Sequence, residues 1–154
     1  MKKEPSTQSH FWILLLGAAL LGILSFLAVF WRHYNAMTLK AKNSEARKNL
    51  KEICQAEQEY FRTHGVYVKA GPTPEREPDK GPTPFESSYL HEWNLLNWKP
   101  EWDVRCQYTI FFTKPDGSDF KALARCDADG DGDYAQFQMD KKCFVFQSSG
   151  QWVF

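Results

Sequence analysis

The stretch that decides the fold is Phe11–Phe30, whose twenty residues read FWILLLGAALLGILSFLAVF without a charge. As a helix this stretch spans ~30 Å, the thickness of a bilayer core, so the sequence predicts a transmembrane helix over residues 11–31. A cleaved secretory signal is the alternative. The apolar run is longer than an ordinary signal core, however, and no A-x-A-like site closes it before Trp31. We therefore expect a retained anchor behind a short leader, residues 1–10.

The same helix is expected to continue to His64, because no proline or glycine follows the apolar run until Gly65. Gly65 is a typical residue just past a helix C-terminus. Residues 32–64 are predicted to be the amphipathic half, with Lys48 and Glu52 spaced for an ion pair. Its apolar residues recur at intervals of three and four and require a partner surface: Leu39, Ala46, Leu50, Ile53, Cys54 and Phe61.

Residues 65–103 are predicted to be a Pro/Gly-rich region that links the helix to a sheet. Within it, residues 69–88 contain five prolines and a doubled GPTP, a composition that disfavours both helix and strand. We expect a surface loop there that is ordered in patches.

Residues 104–154 are predicted to form a small antiparallel sheet. Apolar residues alternate with polar ones along Val104–Phe112 and again along Asp119–Cys126, and the turn-forming cluster Lys114–Ser118 lies between them. Further short runs extend this hairpin: Tyr134–Met139, Cys143–Gln147 and Gln151–Phe154. The fold class is therefore α+β, with one long helix packed on a sheet of about four strands.

The four cysteines bear on which side of the membrane this sheet lies. Lys2 and Lys3 precede the apolar run, but more basic residues follow it, so the positive-inside rule alone favours the opposite orientation. The wide spacings of Cys54, Cys106, Cys126 and Cys143, without a C-x-x-C, suit two structural disulfides and hence a domain outside the cytoplasm. Four unrelated buried thiols are the alternative.

An acidic cluster, DADGDGD, follows the second predicted strand. It places Asp127, Asp129, Asp131 and Asp133 on alternate residues with glycines that permit a tight turn, which is a common way to chelate Ca²⁺. The twelfth position holds Gln138, so the bidentate glutamate of an EF-hand is missing. Ca²⁺ binding and a solvated acidic turn are both open interpretations.

Enzymatic and nucleic-acid functions are not expected. The four histidines are scattered, and no H-E-x-x-H, G-x-S-x-G or P-loop motif occurs. The formal net charge is +0, so no basic surface for nucleic acid is indicated. The aromatic content of 16%, including Trp93, Trp98 and Trp102, is expected mainly to fill a small core.

Several segments, in order, give the chain a family resemblance. They are the apolar run from Phe11, KNSEA at residues 42–46, NLKEI at 49–53, AEQEYF at 56–61 and GVY at 65–67. With them the chain resembles the type IV pilin and pseudopilin superfamily. The resemblance implies a pilin-like fold and a minor pilin-like or pseudopilin-like subunit of a type IV filament or a type II secretion-type machine.

Two positions depart from the family pattern. The family's leader ends in a glycine before a phenylalanine, and the fifth mature residue is a glutamate; here His10 precedes Phe11, and Leu15 stands in place of the glutamate. The resemblance therefore does not carry over leader cleavage or the charge that assembles a major pilus. A non-assembling, membrane-anchored ectodomain that binds Ca²⁺ or a partner is the alternative.

The resemblance also implies partners, a location and a disulfide pairing. The partners would be other pilin or pseudopilin subunits, through the N-terminal helix, and the membrane. The location would be the bacterial inner membrane, single-pass, with the C-terminal domain periplasmic or on the cell surface. Cys126 would pair with Cys143, as in the C-terminal loop of many pilins, and Cys54 with Cys106.

Overall fold

The structure is a computed structural model that describes residues 7–149, with side chains from residue 12 except at 35, 36, 38, 41 and 42. The chain divides into two compact units, residues 1–38 and residues 39–154. The first unit contains the N-terminal part of helix α1, Thr7–His64. The second contains the rest of α1, a short helix and a sheet. The fold is thus α+β, and it is compatible with a pilin-like architecture.

Helix α1 ends where the sequence predicts. Gly65 follows it at φ +73°, and its amide donates a hydrogen bond to the carbonyl of Phe61 at 2.8 Å. This left-handed conformation closes the last turn at little steric cost because glycine has no Cβ. The predicted pair of Lys48 and Glu52 is also present, at 3.6 Å.

The sheet has five antiparallel strands in the order β1-β2-β3-β4-β5. Their bounds are Ala70–Thr73, Cys106–Phe112, Phe120–Cys126, Ala135–Asp140 and Val145–Gln147. The last four match predicted strands, whereas the expected strand at residues 151–154 lies outside the described residues. Strand β1 lies within the stretch that was expected to be a surface loop ordered in patches, and the sequence did not identify it as a strand. Its Pro72 is tolerated because β1 is an edge strand, paired only with β2.

The hydrophobic core lies between the second half of α1 and one face of the sheet. On the helix, Ala46, Leu50, Ile53 and Cys54 are fully buried, which confirms the predicted apolar stripe. The sheet contributes alternate residues, as period-two patterning requires. They include Tyr108 and Ile110 of β2, Phe120, Ala122 and Ala124 of β3, and Phe137 and Met139 of β4.

A second and much shorter helix, α2 at Leu90–Leu95, contributes Trp93 to this core. Its Trp93 is 1% exposed and donates from Nε1 to the carbonyl of Gly71 in β1 at 3.2 Å. Phe85 and Trp98 pack edge-on against each other, with ring centroids 5.4 Å apart. The region 65–103 therefore contains ordered structure as well as loop.

Two disulfides form, but their pairing differs from the one that the family resemblance implied. Cys54 bonds Cys143, and Cys106 bonds Cys126. The reason is register: Cys106 and Cys126 lie directly opposite each other on β2 and β3. Cys54, on the buried face of α1, then meets Cys143 in the turn after β4.

The N-terminal unit carries one helical segment, Trp12–Tyr34, that is long and apolar enough to cross a membrane. Every side chain in this segment is exposed. Such a segment has the length and composition of a single-pass anchor or a signal sequence, as the sequence predicted.

Candidate functional site

The acidic loop joins β3 to β4 and gathers three of its four aspartates. Asp127, Asp129 and Asp131 each offer one carboxylate oxygen, and these oxygens lie within 4.8 Å of one another. The two glycines make this possible, since Gly130 and Gly132 adopt φ +79° and +87°. Such a cluster of hard oxygen ligands is the kind that Ca²⁺ prefers.

Asp127 holds the loop in shape from within. Its side chain is 4% exposed, and its two carboxylate oxygens accept hydrogen bonds from the amides of Gly130 at 2.7 Å and Gly132 at 3.1 Å. Asp133 plays a different part: its amide donates to Asp131 Oδ1 at 2.8 Å, and its carboxylate is not among the three clustered groups. The predicted set of four is therefore brought together only in part.

Asp129 is the member best placed to gain from a cation. Its Oδ1 is buried and has no hydrogen-bond partner among the described residues. Partial burial, followed by the repulsion of Asp131, raises the pKa of Asp129 above its ordinary value. A cation would relieve both costs. Gln138, by contrast, lies within β4 opposite Leu123, so the loop itself offers no twelfth-position ligand.

The proline-rich loop packs beside this acidic loop. Tyr134 donates from its hydroxyl to Glu77 Oε2 at 2.9 Å, and the Arg125 guanidinium lies 4.3 Å from the centroid of the Tyr134 ring. Arg125 and Glu77 are also 4.0 Å apart. The Glu77 hydrogen bond is the main cause of a raised Tyr134 pKa. These contacts anchor both loops to β3.

A polar network joins α1 to β2 through the core. Asn49 Nδ2 donates to the Tyr108 hydroxyl at 2.9 Å, and that hydroxyl donates to Glu45 Oε1 at 3.3 Å. Glu45 also accepts the Arg105 amide at 2.9 Å and pairs with the Arg105 side chain at 3.6 Å. Burial, followed by the Glu45 charge, raises the pKa of Tyr108 well above its usual range. The network fixes the rotation of α1 over the sheet.

Glu57 is a buried carboxyl that the sequence interpretation missed. Its side chain is fully buried, Oε2 accepts the Val68 amide at 2.9 Å, and Oε1 has no partner among the described residues. Burial raises its pKa to about 8. The signal was present in the spacing, because Glu57 follows Ile53 by four residues and Leu50 by seven and so shares the apolar stripe.

The residues singled out for processing and assembly lie in the first unit. His10 and Phe11 belong to α1, but their side chains lie outside the described set. Leu15 is 46% exposed within the apolar segment. No pairing group is brought to Leu15 by the residues that the structure describes in that segment.

Comparisons with family models, curated proteins and solved structures find no match to this chain. Its architecture alone therefore defines the class of this protein. It is an α+β protein with one potential membrane helix, an open five-stranded antiparallel sheet and two disulfides.

Proposed function

We propose that the chain is a non-catalytic structural subunit with pilin-like architecture. It would serve as a minor pilin-like or pseudopilin-like component of a type IV filament or a type II secretion-type machine. Its location would be the bacterial inner membrane, with the C-terminal unit outside the cytoplasm. The observation that carries the proposal is that one helix, α1, contains a fully exposed apolar segment and packs its other half on an antiparallel sheet.

The proposed partners are further pilin-like subunits, which would contact the apolar segment of α1. An exposed apolar helix is stable only in lipid or against other apolar helices. Small residues let two helices approach closely, and Gly22 lies four residues after Ala18. A Cβ built on Gly22 meets no atom within 4 Å, so a larger side chain fits within the chain itself.

This geometry allows a direct test of assembly in the native host. We expect the wild-type chain in the sheared filament fraction or in the assembled secretion complex. Gly22→Leu should stay in the membrane fraction at normal abundance and be lost from the assembly, because its new side chain obstructs only a neighbouring helix. Ile23→Leu, which keeps the side-chain volume, is the matched control and should assemble normally. Quantitative immunoblots of both fractions measure the partition.

A non-assembling membrane-anchored ectodomain is the second candidate, and the observation that favours it is His10 and Leu15 in place of the family's glycine and glutamate. In that case the chain stays in the membrane with Met1 intact, and filaments and secretion are normal without its gene. That result contradicts the assembly proposal. The ectodomain would then bind Ca²⁺ at the acidic loop or a partner outside the membrane.

A further inference from the structure

One tryptophan of the C-terminal unit lies at the surface, while the two tryptophans that precede it in the sequence lie in the core. Trp93 is 1% and Trp98 8% exposed, whereas Trp102 is 77% exposed. Tryptophan is highly buried on average, and a mostly exposed indole loses the free energy that its burial would provide. Trp102 therefore presents a wide apolar face that a ligand could cover.

Trp102 borders a groove of about 560 Å³, a volume typical of small-ligand sites. Two segments form the walls, residues 82–86 after β1 and residues 99–105 before β2. Thr83 and Val104 join the walls through two backbone hydrogen bonds, 2.7 and 2.9 Å long. Pro82 and Pro84 belong to the lining and add apolar surface to the groove.

The groove is held in place by contacts that do not need a ligand. Phe85, 5% exposed, forms part of the lining and packs edge-on against Trp93 and Trp98 at 5.4 Å. Behind the segment of Trp102, Glu101 pairs with Lys48 of α1 at 3.8 Å, and the Arg105 amide donates to Glu45. Because its walls are already held in place, such a preformed groove loses little conformational entropy when a ligand binds.

The polar groups around Trp102 indicate what the occupant is. Both signs of charge line the groove, with Glu86, Glu101 and Asp103 opposed by Lys99 and Arg105. Such a mixed lining does not favour a strongly charged ligand, but it offers acceptors and donors side by side. Glu86, Asp103 and Lys99 make no ion pair with any residue that the structure describes, so their side chains are available for hydrogen bonds.

A neutral ligand with many hydroxyl groups and one apolar face satisfies both features. The C–H groups of a pyranose ring stack on the electron-rich face of an indole, while its hydroxyls donate to carboxylates and accept from ammonium or guanidinium groups. We propose that the groove beside Trp102 binds a neutral, β-1,4-linked oligosaccharide, because equatorial linkages keep successive pyranose rings flat and leave a C–H face that can lie on the indole. The stacking face is Trp102, and Asp103 and Glu86 hold the hydroxyls.

The test uses the full chain in phosphatidylcholine nanodiscs, which avoids detergents with sugar headgroups. Triacetylchitotriose, the neutral N-acetylated trimer, and cellotriose are titrated separately, and the indole N–H resonances of ¹⁵N-labelled protein are followed by NMR. We expect a saturable shift of the Trp102 resonance with at least one of the two trisaccharides. Trp102→Ala should weaken binding by at least about tenfold in calorimetry, as is typical of a central aromatic contact. Trp102→Tyr should retain most of the affinity.

The matched control is Phe144→Ala, because Phe144 is 67% exposed but lies outside the groove. It should bind like the wild type, and Asp103→Asn should bind several-fold more weakly because a charge-assisted hydrogen bond is lost. Binding by neither trisaccharide overturns the proposal, as does unchanged affinity in Trp102→Ala. A Trp102-dependent response to a polyproline decapeptide, with none to either sugar, identifies a peptide groove and likewise overturns it. The assay does not depend on filament assembly.

Discussion

At the scale of single residues, Glu57 is a carboxyl group in an environment very different from that of a surface side chain. It lies on the apolar stripe of α1, accepts one hydrogen bond, from the Val68 amide, and forms no ion pair with any residue that the structure describes. Burial therefore favours the neutral acid, and the pKa rises from 4.5 to about 8. The charged groups of this part of α1, such as Glu59 and Arg62, pair with each other at the surface.

The first prediction at this scale concerns pH. The unfolded chain loses the Glu57 proton near pH 4.5 and the folded chain near pH 8, so between these values the folded state binds more protons. Raising the pH therefore lowers the free energy of unfolding, by roughly 2 to 3 kcal/mol between pH 5 and 7. Urea denaturation of the full chain in nanodiscs, followed by tryptophan fluorescence, measures the change.

Glu57→Gln is the matched variant for this prediction. Its amide oxygen can still accept the Val68 hydrogen bond, but the side chain does not ionise. The variant should lose most of this pH dependence and be more stable than the wild type at pH 8. Parallel pH profiles for the two proteins would show that Glu57 is not the titrating group.

At the scale of elements, the acidic loop between β3 and β4 combines a fixed shape with unsatisfied charge. Both carboxylate oxygens of Asp127 accept hydrogen bonds from loop amides, so the loop keeps its turn without a ligand. Asp129 and Asp131 then remain close together with like charges. A divalent cation is the simplest group that would offset this repulsion.

We expect Ca²⁺ at millimolar concentration to raise the melting temperature of the C-terminal unit by a few degrees, since a ligand that binds only the folded state stabilises it. Mg²⁺ should have less effect, because it requires a more regular octahedral site. Asp129→Asn should abolish the Ca²⁺ response without destabilising the protein in EDTA. Asp116→Asn, in the turn between β2 and β3, is the control. An equal rise in melting temperature in both variants would show that Ca²⁺ binds at another site.

Also at this scale, the two disulfides constrain very different lengths of chain. Cys54–Cys143 encloses a separation of 89 residues and joins α1 to the turn after β4, whereas Cys106–Cys126 encloses only 20 and joins two strands that are already paired. In the chain-entropy model, the longer loop stabilises the folded state more.

The corresponding prediction compares two double variants. Replacing Cys54 and Cys143 by alanine should lower the free energy of unfolding by about 4 to 5 kcal/mol, and replacing Cys106 and Cys126 by about 3 kcal/mol. Denaturation of each protein under non-oxidising conditions gives the two values. Peptide mapping without reduction checks the pairing itself. A larger loss from the Cys106–Cys126 pair would indicate that packing between the strands, and not loop length, sets the difference.

At the scale of the whole molecule, α1 has two different environments along one helix. From Trp12 to Tyr34 every side chain is exposed, while from Ala46 to Glu57 the inward-facing positions are fully buried. The first segment requires lipid or other helices, and the second is satisfied by the chain's own sheet. The proposed assembly through the first segment therefore leaves the packing of the C-terminal unit unchanged.

The sequence by itself determined the features that depend on local pattern. The span of the apolar helix, its end at Gly65, the apolar stripe on α1 and four of the five strands follow from periodicity and turn residues. The acidic loop was also visible, because its chemistry lies within seven consecutive residues.

The tertiary structure alone decided features that depend on residues far apart in the chain. Strand β1 exists because β2 offers it an edge, and the partner of Cys54 lies 89 residues away. Whether Glu57 is buried and Trp102 exposed depends likewise on which segments cover them. The physical reason is that burial and register are set by contacts between distant residues, which no local spacing specifies.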